Sequence, residues 1–205
     1  MSFKWLPNAL TISRGLAGFA VAYAIVRMTL AEGLSVWSWL PFVFFCLAAL
    51  TDYFDGIAAR KLDAVSALGA RLDPIADKVL VAASLIALVW SEHGYWVLLV
   101  PTIAIVGRDA LITGLREVLG NPPGLAVMNL AKWKTAAELV AIGTILAALA
   151  IGAWEPASGP SQPFGWLSGI PALVGVVVLW IAAFLSVVTG WTYLEAMMKD
   201  QRSKH

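Results

Sequence analysis

The sequence predicts an all-α integral membrane protein of six transmembrane helices, and three observations carry that reading. Of its 205 residues, 60% are hydrophobic and only 13% charged, and the mean hydropathy is +0.81, whereas soluble domains carry about a quarter charged residues. Six apolar segments, each near the roughly 20 residues that cross a hydrocarbon core, follow one another with Gly, Pro or charge between them. Ten Trp and four Tyr suit a chain that must occupy two long lipid–water interfaces.

The first segment, 7–30, ends at Ala31-Glu32-Gly33. No short apolar core with a small-residue cleavage site precedes it, so it is expected to be retained as a span. The second, 38–60, carries Asp52 and Asp55 near its end. The third, 69–91, opens with Asp73 and Asp77 and stops at Ser91-Glu92-His93-Gly94. The fourth, 95–119, has Arg108 midway and stops at Gly120-Asn121-Pro122-Pro123-Gly124. The fifth, 132–154, opens with Lys132 and Lys134, and a Pro/Gly/Ser-rich stretch from Glu155 to Gly165 separates it from the sixth, 166–195. No linker is long or polar enough to separate folded domains and no internal repeat is visible, so residues 1–205 read as one membrane-embedded domain.

The net charge of +1 says little, but its distribution says more. With six spans both termini share one side, and Lys4, Arg14, Arg60, Lys61, Arg71, Lys78, Arg116, Lys132, Lys134, Lys199, Arg202 and Lys204 all fall on that side. Arg27 alone lies towards the other. Basic residues concentrate in cytoplasmic loops, so both termini are expected in the cytoplasm. Arg108 belongs to neither surface. The single cysteine, Cys46, lies in an apolar run and forms no intrachain disulfide.

Chemistry concentrates between Asp52 and Asp77. Asp52 and Asp55 are three apart and Asp73 and Asp77 four apart, so each pair shares a helix face. A short polar turn around Lys61 to Ser66 joins the two helices, which makes them antiparallel and brings the pairs together. The uncharged run from Val79 to Trp90, apolar except at Ser84, is only ~18 Å long at the helical rise, against a core of ~30 Å. The third helix must therefore carry Asp73 and Asp77 towards the membrane, where carboxylates are rare unless they serve a function. Four crowded carboxylates repel one another unless cations join them, and their hard oxygens favour Mg²⁺, Mn²⁺ or Ca²⁺. Gly56 and Gly69 leave room for close approach beside the acids, and Arg60 adds a fixed cation. Carboxylates with metals, an arginine and small residues form a constellation that handles phosphate. Asp63, Lys61 and Arg71 read as solvated turn residues.

This pattern, D-x2-D-G-x2-A-R-x8-G-x3-D-x3-D from Asp52 through Asp77, resembles the CDP-alcohol phosphotransferase family at every fixed position. Pro7-Asn8-Ala9-Leu10-Thr11-Ile12-Ser13-Arg14 is similar to the N-terminal signature of the bacterial branch that makes phosphatidylglycerophosphate. So are Gly107-Arg108-Asp109 through Leu115-Arg116-Glu117 and Lys132-Trp133-Lys134-Thr135. That branch usually has Glu and Gly where this chain has Asp109 and Ala131. The resemblance implies the family's six-helix fold in a bacterial inner membrane, multi-pass, with its active site on the cytoplasmic face. It implies transfer of a phosphatidyl group from CDP-diacylglycerol to sn-glycerol 3-phosphate, releasing CMP. It further implies two divalent cations, Mg²⁺ or Mn²⁺, on Asp52, Asp55, Asp73 and Asp77, with Asp77 also the general base. Asn8, Thr11, Gly56, Arg60, Ser66 and Gly69 would hold the CDP-lipid. A homodimer among membrane lipids, with no nucleic-acid partner, completes the expectation.

A phosphorylated acceptor needs cations of its own. Arg108 and Arg116 are eight apart, about two helical turns, and so share a face; Lys132 and Lys134 open the next helix. Together they are expected to form the acceptor's phosphate pocket. Positive-inside topology alone would explain Arg116, Lys132 and Lys134, but a charge deep in an apolar helix, as at Arg108, calls for a partner and a purpose. Phosphatidylglycerol, inositol phosphate, inositol or serine remain alternative acceptors. A cation-coupled carrier is a reading from another class, but it would set its carboxylates near the midplane at a repeat interface rather than at one end of a single hairpin.

Overall fold

Six helices account for the described chain: α1 (Leu6–Leu30), α2 (Leu40–Leu62), α3 (Ala67–Ser91), α4 (Trp96–Leu119), α5 (Asn129–Gly152) and α6 (Ile170–Ser203). The computed structural model describes the backbone of residues 6–30, 38–62, 67–119, 129–152 and 169–203, and the side chains of these segments except at 6–14, 52–77, 119, 129 and 200–203. Each helix coincides with one predicted apolar segment. The largest difference is at the C-terminus, where α6 runs on past residue 195 to Ser203. The added turns contain Glu195 and Lys199, an i,i+4 ion pair at 2.8 Å of the kind that supports an exposed helix end beyond the apolar stretch.

Three helices contain stretches long and apolar enough to cross a membrane: Trp96–Val118, Leu130–Gly152 and Ile170–Lys199. The described parts of the others add shorter apolar runs at Gly15–Leu30, Leu40–Thr51 and Lys78–Ser91. Large apolar side chains such as Phe19, Leu47, Ile103, Val140 and Phe184 are exposed, a surface that suits lipid and not water.

One core draws on all six helices. Val21 and Ile25 of α1 meet Phe45 of α2 and Leu80, Leu85 and Leu88 of α3, together with Leu98 and Ile105 of α4, Ile142 and Ile145 of α5, and Leu179 of α6. α1 packs on α2 and α3, α6 packs on α4 and α5, and the two groups join through α3 with α4 and α5 and through α2 with α5. Small residues allow the close approaches. A Cβ on Gly175 of α6 would lie 3.1 Å from the backbone nitrogen of Ile145 and 2.7 Å from its Cγ1. With Ala182 and Ala183 also buried, the small-residue stripe of α6 packs within the chain.

Turn chemistry ends α3. Gly94 N–H donates to Val89 O at 2.8 Å and His93 N–H to Trp90 O at 3.1 Å, the two bonds of a Schellman cap, with His93 and Gly94 both at positive φ. α4 carries a different irregularity, Pro101 in its second turn, which has no N–H to give to the carbonyl of Val97. Trp180 of α6 supplies the missing donor: its Nε1 reaches Val97 O at 3.1 Å, and its ring meets Trp96 edge-on at 6.3 Å. In a membrane no water replaces such a bond. Trp180→Phe is therefore expected to cost about 1–3 kcal/mol, read as a lowered unfolding midpoint in detergent with the helix content unchanged.

Candidate active site

The aspartate motif falls within helices on both sides of one connection. Asp52 and Asp55 lie in α2 and Asp73 and Asp77 in α3, each pair preserved at helical spacing. Only residues 63–66 separate the two helices, and a connection that short cannot span more than about 20 Å. Both helices also pack on α1. The motif therefore lies around the short connection that joins α2 to α3. Four carboxylates, two from each helix, with only hard oxygen donors, fit a divalent cation of the magnesium or manganese type. Asn8 and Thr11 lie in the first turns of α1, Gly56 and Arg60 in α2 and Gly69 in α3. Ser66 lies outside the described residues, as do the side chains of the four aspartates, Asn8, Thr11 and Arg60.

Immediately after the motif, Lys78 begins a polar cluster that the described side chains define in detail. Its Nζ donates to the backbone oxygen of Asp109 at 3.4 Å and to the hydroxyl of Thr113, tying α3 to α4 one residue beyond Asp77. Asp109 then gathers two cations on a single oxygen. Arg108 Nη1 lies 2.9 Å from Oδ1 and Lys134 Nζ of α5 lies 2.6 Å from it. Lys134 also pairs with Glu138 one turn on, at 3.1 Å. α6 completes the enclosure, where Arg108 Nη2 donates to Thr189 Oγ1 at 3.2 Å. The arginine stem runs over Gly190, where a Cβ would come within 2.8 Å of Arg108 Cγ.

The position of this cluster follows from the helical stripes. On α4, Ile105 belongs to the main core and Ile112 to a small satellite core with Tyr193 and Met197. Arg108 and Asp109 occupy the same stripe between them, so one turn of an inward-facing apolar face has been made ionic. Lys134 and Glu138 are almost wholly buried, at 5% and 3% side-chain exposure, and charges so placed persist only when paired. Among the described side chains three cations, Lys78, Arg108 and Lys134, face two acids, Asp109 and Glu138, an excess of positive charge to offer an anion. Beside it a cleft between α3 and α4 is lined by Lys78, Ala82, Ile105, Asp109 and Thr113.

Of the four basic residues expected in an acceptor pocket, the structure brings two together, Arg108 and Lys134, through Asp109. Arg116 is exposed, with its guanidinium 5.6 Å over the ring of Tyr193, and Lys132 is exposed at the start of α5. The i,i+4 pairing of Glu138 with Lys134 is present. Sequence reasoning missed Lys78, which it counted only towards topology, and Asp109, Thr113 and Thr189. One signal was available for Asp109: an acid beside an arginine, deep in an apolar helix, is as costly there as the arginine itself.

The fold and this site together define a helical membrane protein that presents an acidic motif and a buried basic cluster at adjoining points of one bundle. The chain belongs to the CDP-alcohol phosphatidyltransferase family, whose model matches residues 4–188. Curated relatives named CDP-diacylglycerol–glycerol-3-phosphate 3-phosphatidyltransferase align over most of it. The protein from Cereibacter sphaeroides is 34% identical, covering 96% of this chain and 98% of its own. That from Rickettsia bellii is 36% identical over 95% and 96%, and that from Shigella flexneri serotype 5b is 35% identical over 80% and 82%.

Proposed function

We propose that this chain transfers the phosphatidyl group of CDP-diacylglycerol to sn-glycerol 3-phosphate, giving phosphatidylglycerophosphate and CMP. The observation that carries the choice of acceptor is the excess of cations, partly or wholly buried, among the described side chains at Lys78, Arg108 and Lys134, with Lys78 following Asp77 directly in α3. An uncharged acceptor such as inositol would give those charges nothing to bind. The relatives that carry the name of this reaction align along almost the whole chain.

In this reading Asp52, Asp55, Asp73 and Asp77 hold two divalent cations, Mg²⁺ or Mn²⁺, whose charge offsets that of the diphosphate. Arg60, with Asn8, Thr11, Ser66, Gly56 and Gly69, holds the cytidine diphosphate. Arg108 and Lys134 clamp the acceptor's phosphate, with Arg116 and Lys132 at the rim, and so aim its hydroxyl at the aspartates. Asp77 takes the proton as that oxygen bonds to the β-phosphorus, and the bond from this phosphorus to CMP breaks. The enzyme works as a homodimer of six-span chains in a bacterial inner membrane, with termini and active site in the cytoplasm, where glycerol 3-phosphate and CMP exchange freely.

The test is to incubate purified protein with CDP-diacylglycerol, Mg²⁺ or Mn²⁺ and each labelled acceptor, and to follow CMP release. Turnover with inositol phosphate and none with glycerol 3-phosphate would move the chain to a sister activity. Arg108→Ala removes a charged donor and is expected to raise the KM for glycerol 3-phosphate roughly tenfold to a hundredfold. A wild-type KM in that variant would refute the pocket.

A further inference from the structure

We propose that Asp109 is a positioning residue for the acceptor's phosphate, holding Arg108 of α4 and Lys134 of α5 together as one cationic clamp. The inference rests on the reading of this cluster as the acceptor site. Both ion pairs end on one carboxylate oxygen, at 2.9 Å and 2.6 Å, so among the described residues Asp109 alone joins the two helices' charges. Two like charges on long side chains separate when nothing holds them, and each side chain gains rotamer freedom by doing so.

The other restraints on the pair do not replace this carboxylate. Thr189 holds Nη2 of Arg108 and Gly190 leaves space for its stem, which fixes the guanidinium against α6 but leaves Lys134 unrestrained. Glu138 holds Lys134 from its own helix and does not touch Arg108. Among the described residues only Asp109 joins the two cations, and the distance it sets decides whether one phosphate can meet both. The surplus cation, Lys78, has no carboxylate partner among the described residues and contacts Asp109 through its backbone oxygen. Asp109 therefore orders the cluster without cancelling its attraction for an anion.

The experiment compares full-length wild type, Asp109→Asn and Asp109→Glu in detergent, with steady-state kinetics in both substrates. Asp109→Asn is expected to raise the KM for glycerol 3-phosphate at least about tenfold and to weaken competitive inhibition by inorganic phosphate in parallel, with the KM for CDP-diacylglycerol unchanged. Asp109→Glu restores the carboxylate and is expected to recover most of the acceptor KM. An unchanged acceptor KM in Asp109→Asn, or equal changes in both KM values with no recovery by Glu, would overturn the proposal. Should Asp109→Asn fail to fold, Asp109→Ser takes its place, with a neutral side chain too short to reach both cations, and an unchanged acceptor KM in that variant would count equally against the proposal. Absence of wild-type turnover with glycerol 3-phosphate would defeat the functional reading instead, and inorganic phosphate binding to the variants would still judge the clamp.

Discussion

Asp77→Asn is expected to abolish turnover, by about a hundredfold to ten-thousandfold, while CDP-diacylglycerol binding stays within a few-fold of wild type. The amide matches the carboxylate in size and keeps α3 intact, but it cannot accept the proton that the attacking hydroxyl must lose. The residue lies in α3 immediately before Lys78, the side chain that bonds to α4 beside the basic cluster. It thus stands where the acidic motif and the proposed phosphate clamp adjoin, the place from which a base can reach an acceptor held by its far end. CMP release under saturating substrate gives the rate, and equilibrium binding of the CDP-lipid gives the control. If binding falls in step with turnover, Asp77 acts chiefly through metal-assisted capture of the nucleotide and the assignment as base fails. Asp63→Asn, in the connection between α2 and α3, is expected to leave both measurements unchanged.

The helices were legible because long apolar segments are the easiest elements to read: a run of near-fixed length broken by Gly, Pro or charge leaves little choice. The ends were less so. α6 exceeds its apolar stretch because helix beyond the core is held by local pairs such as Glu195 with Lys199, which hydropathy does not register. The aspartates stood out through spacing, a property of the chain itself. The basic cluster is different, since it depends on which faces of α4, α5 and α6 meet. Helical periodicity placed Arg108 and Arg116 on one face, but it could not say that Asp109 would reach across to Lys134, or that Gly190 would leave the space for Arg108. Tertiary packing chose two of the four cations and added Lys78. By sequence the indole of Trp180 is one interface anchor among ten tryptophans, and only the assembled bundle reveals that it replaces the donor missing at Pro101.

Lys134→Met is expected to destabilise the protein by about 3–5 kcal/mol, because it strips the partner from a carboxylate that cannot reach water. Glu138 has 3% of its side chain exposed and lies 3.1 Å from Lys134, a distance that pairs the charges although the alignment leaves Oε1 without a hydrogen bond. Asp109 suffers less, since Arg108 still reaches it. The double variant Lys134→Met, Glu138→Leu removes both charges and fills the space with apolar groups, and it is expected to recover most of the lost stability, as buried ion pairs replaced whole often do. Unfolding midpoints of the two single variants and the double one give the coupling between the residues. Activity should follow a different course. Because Lys134 belongs to the proposed phosphate clamp, the double variant is expected to remain as poor in acceptor KM as the single one, although it is folded and stable. Recovery of activity along with stability would mean that Lys134 serves only to neutralise Glu138, and the clamp would then rest on Arg108 and Lys78.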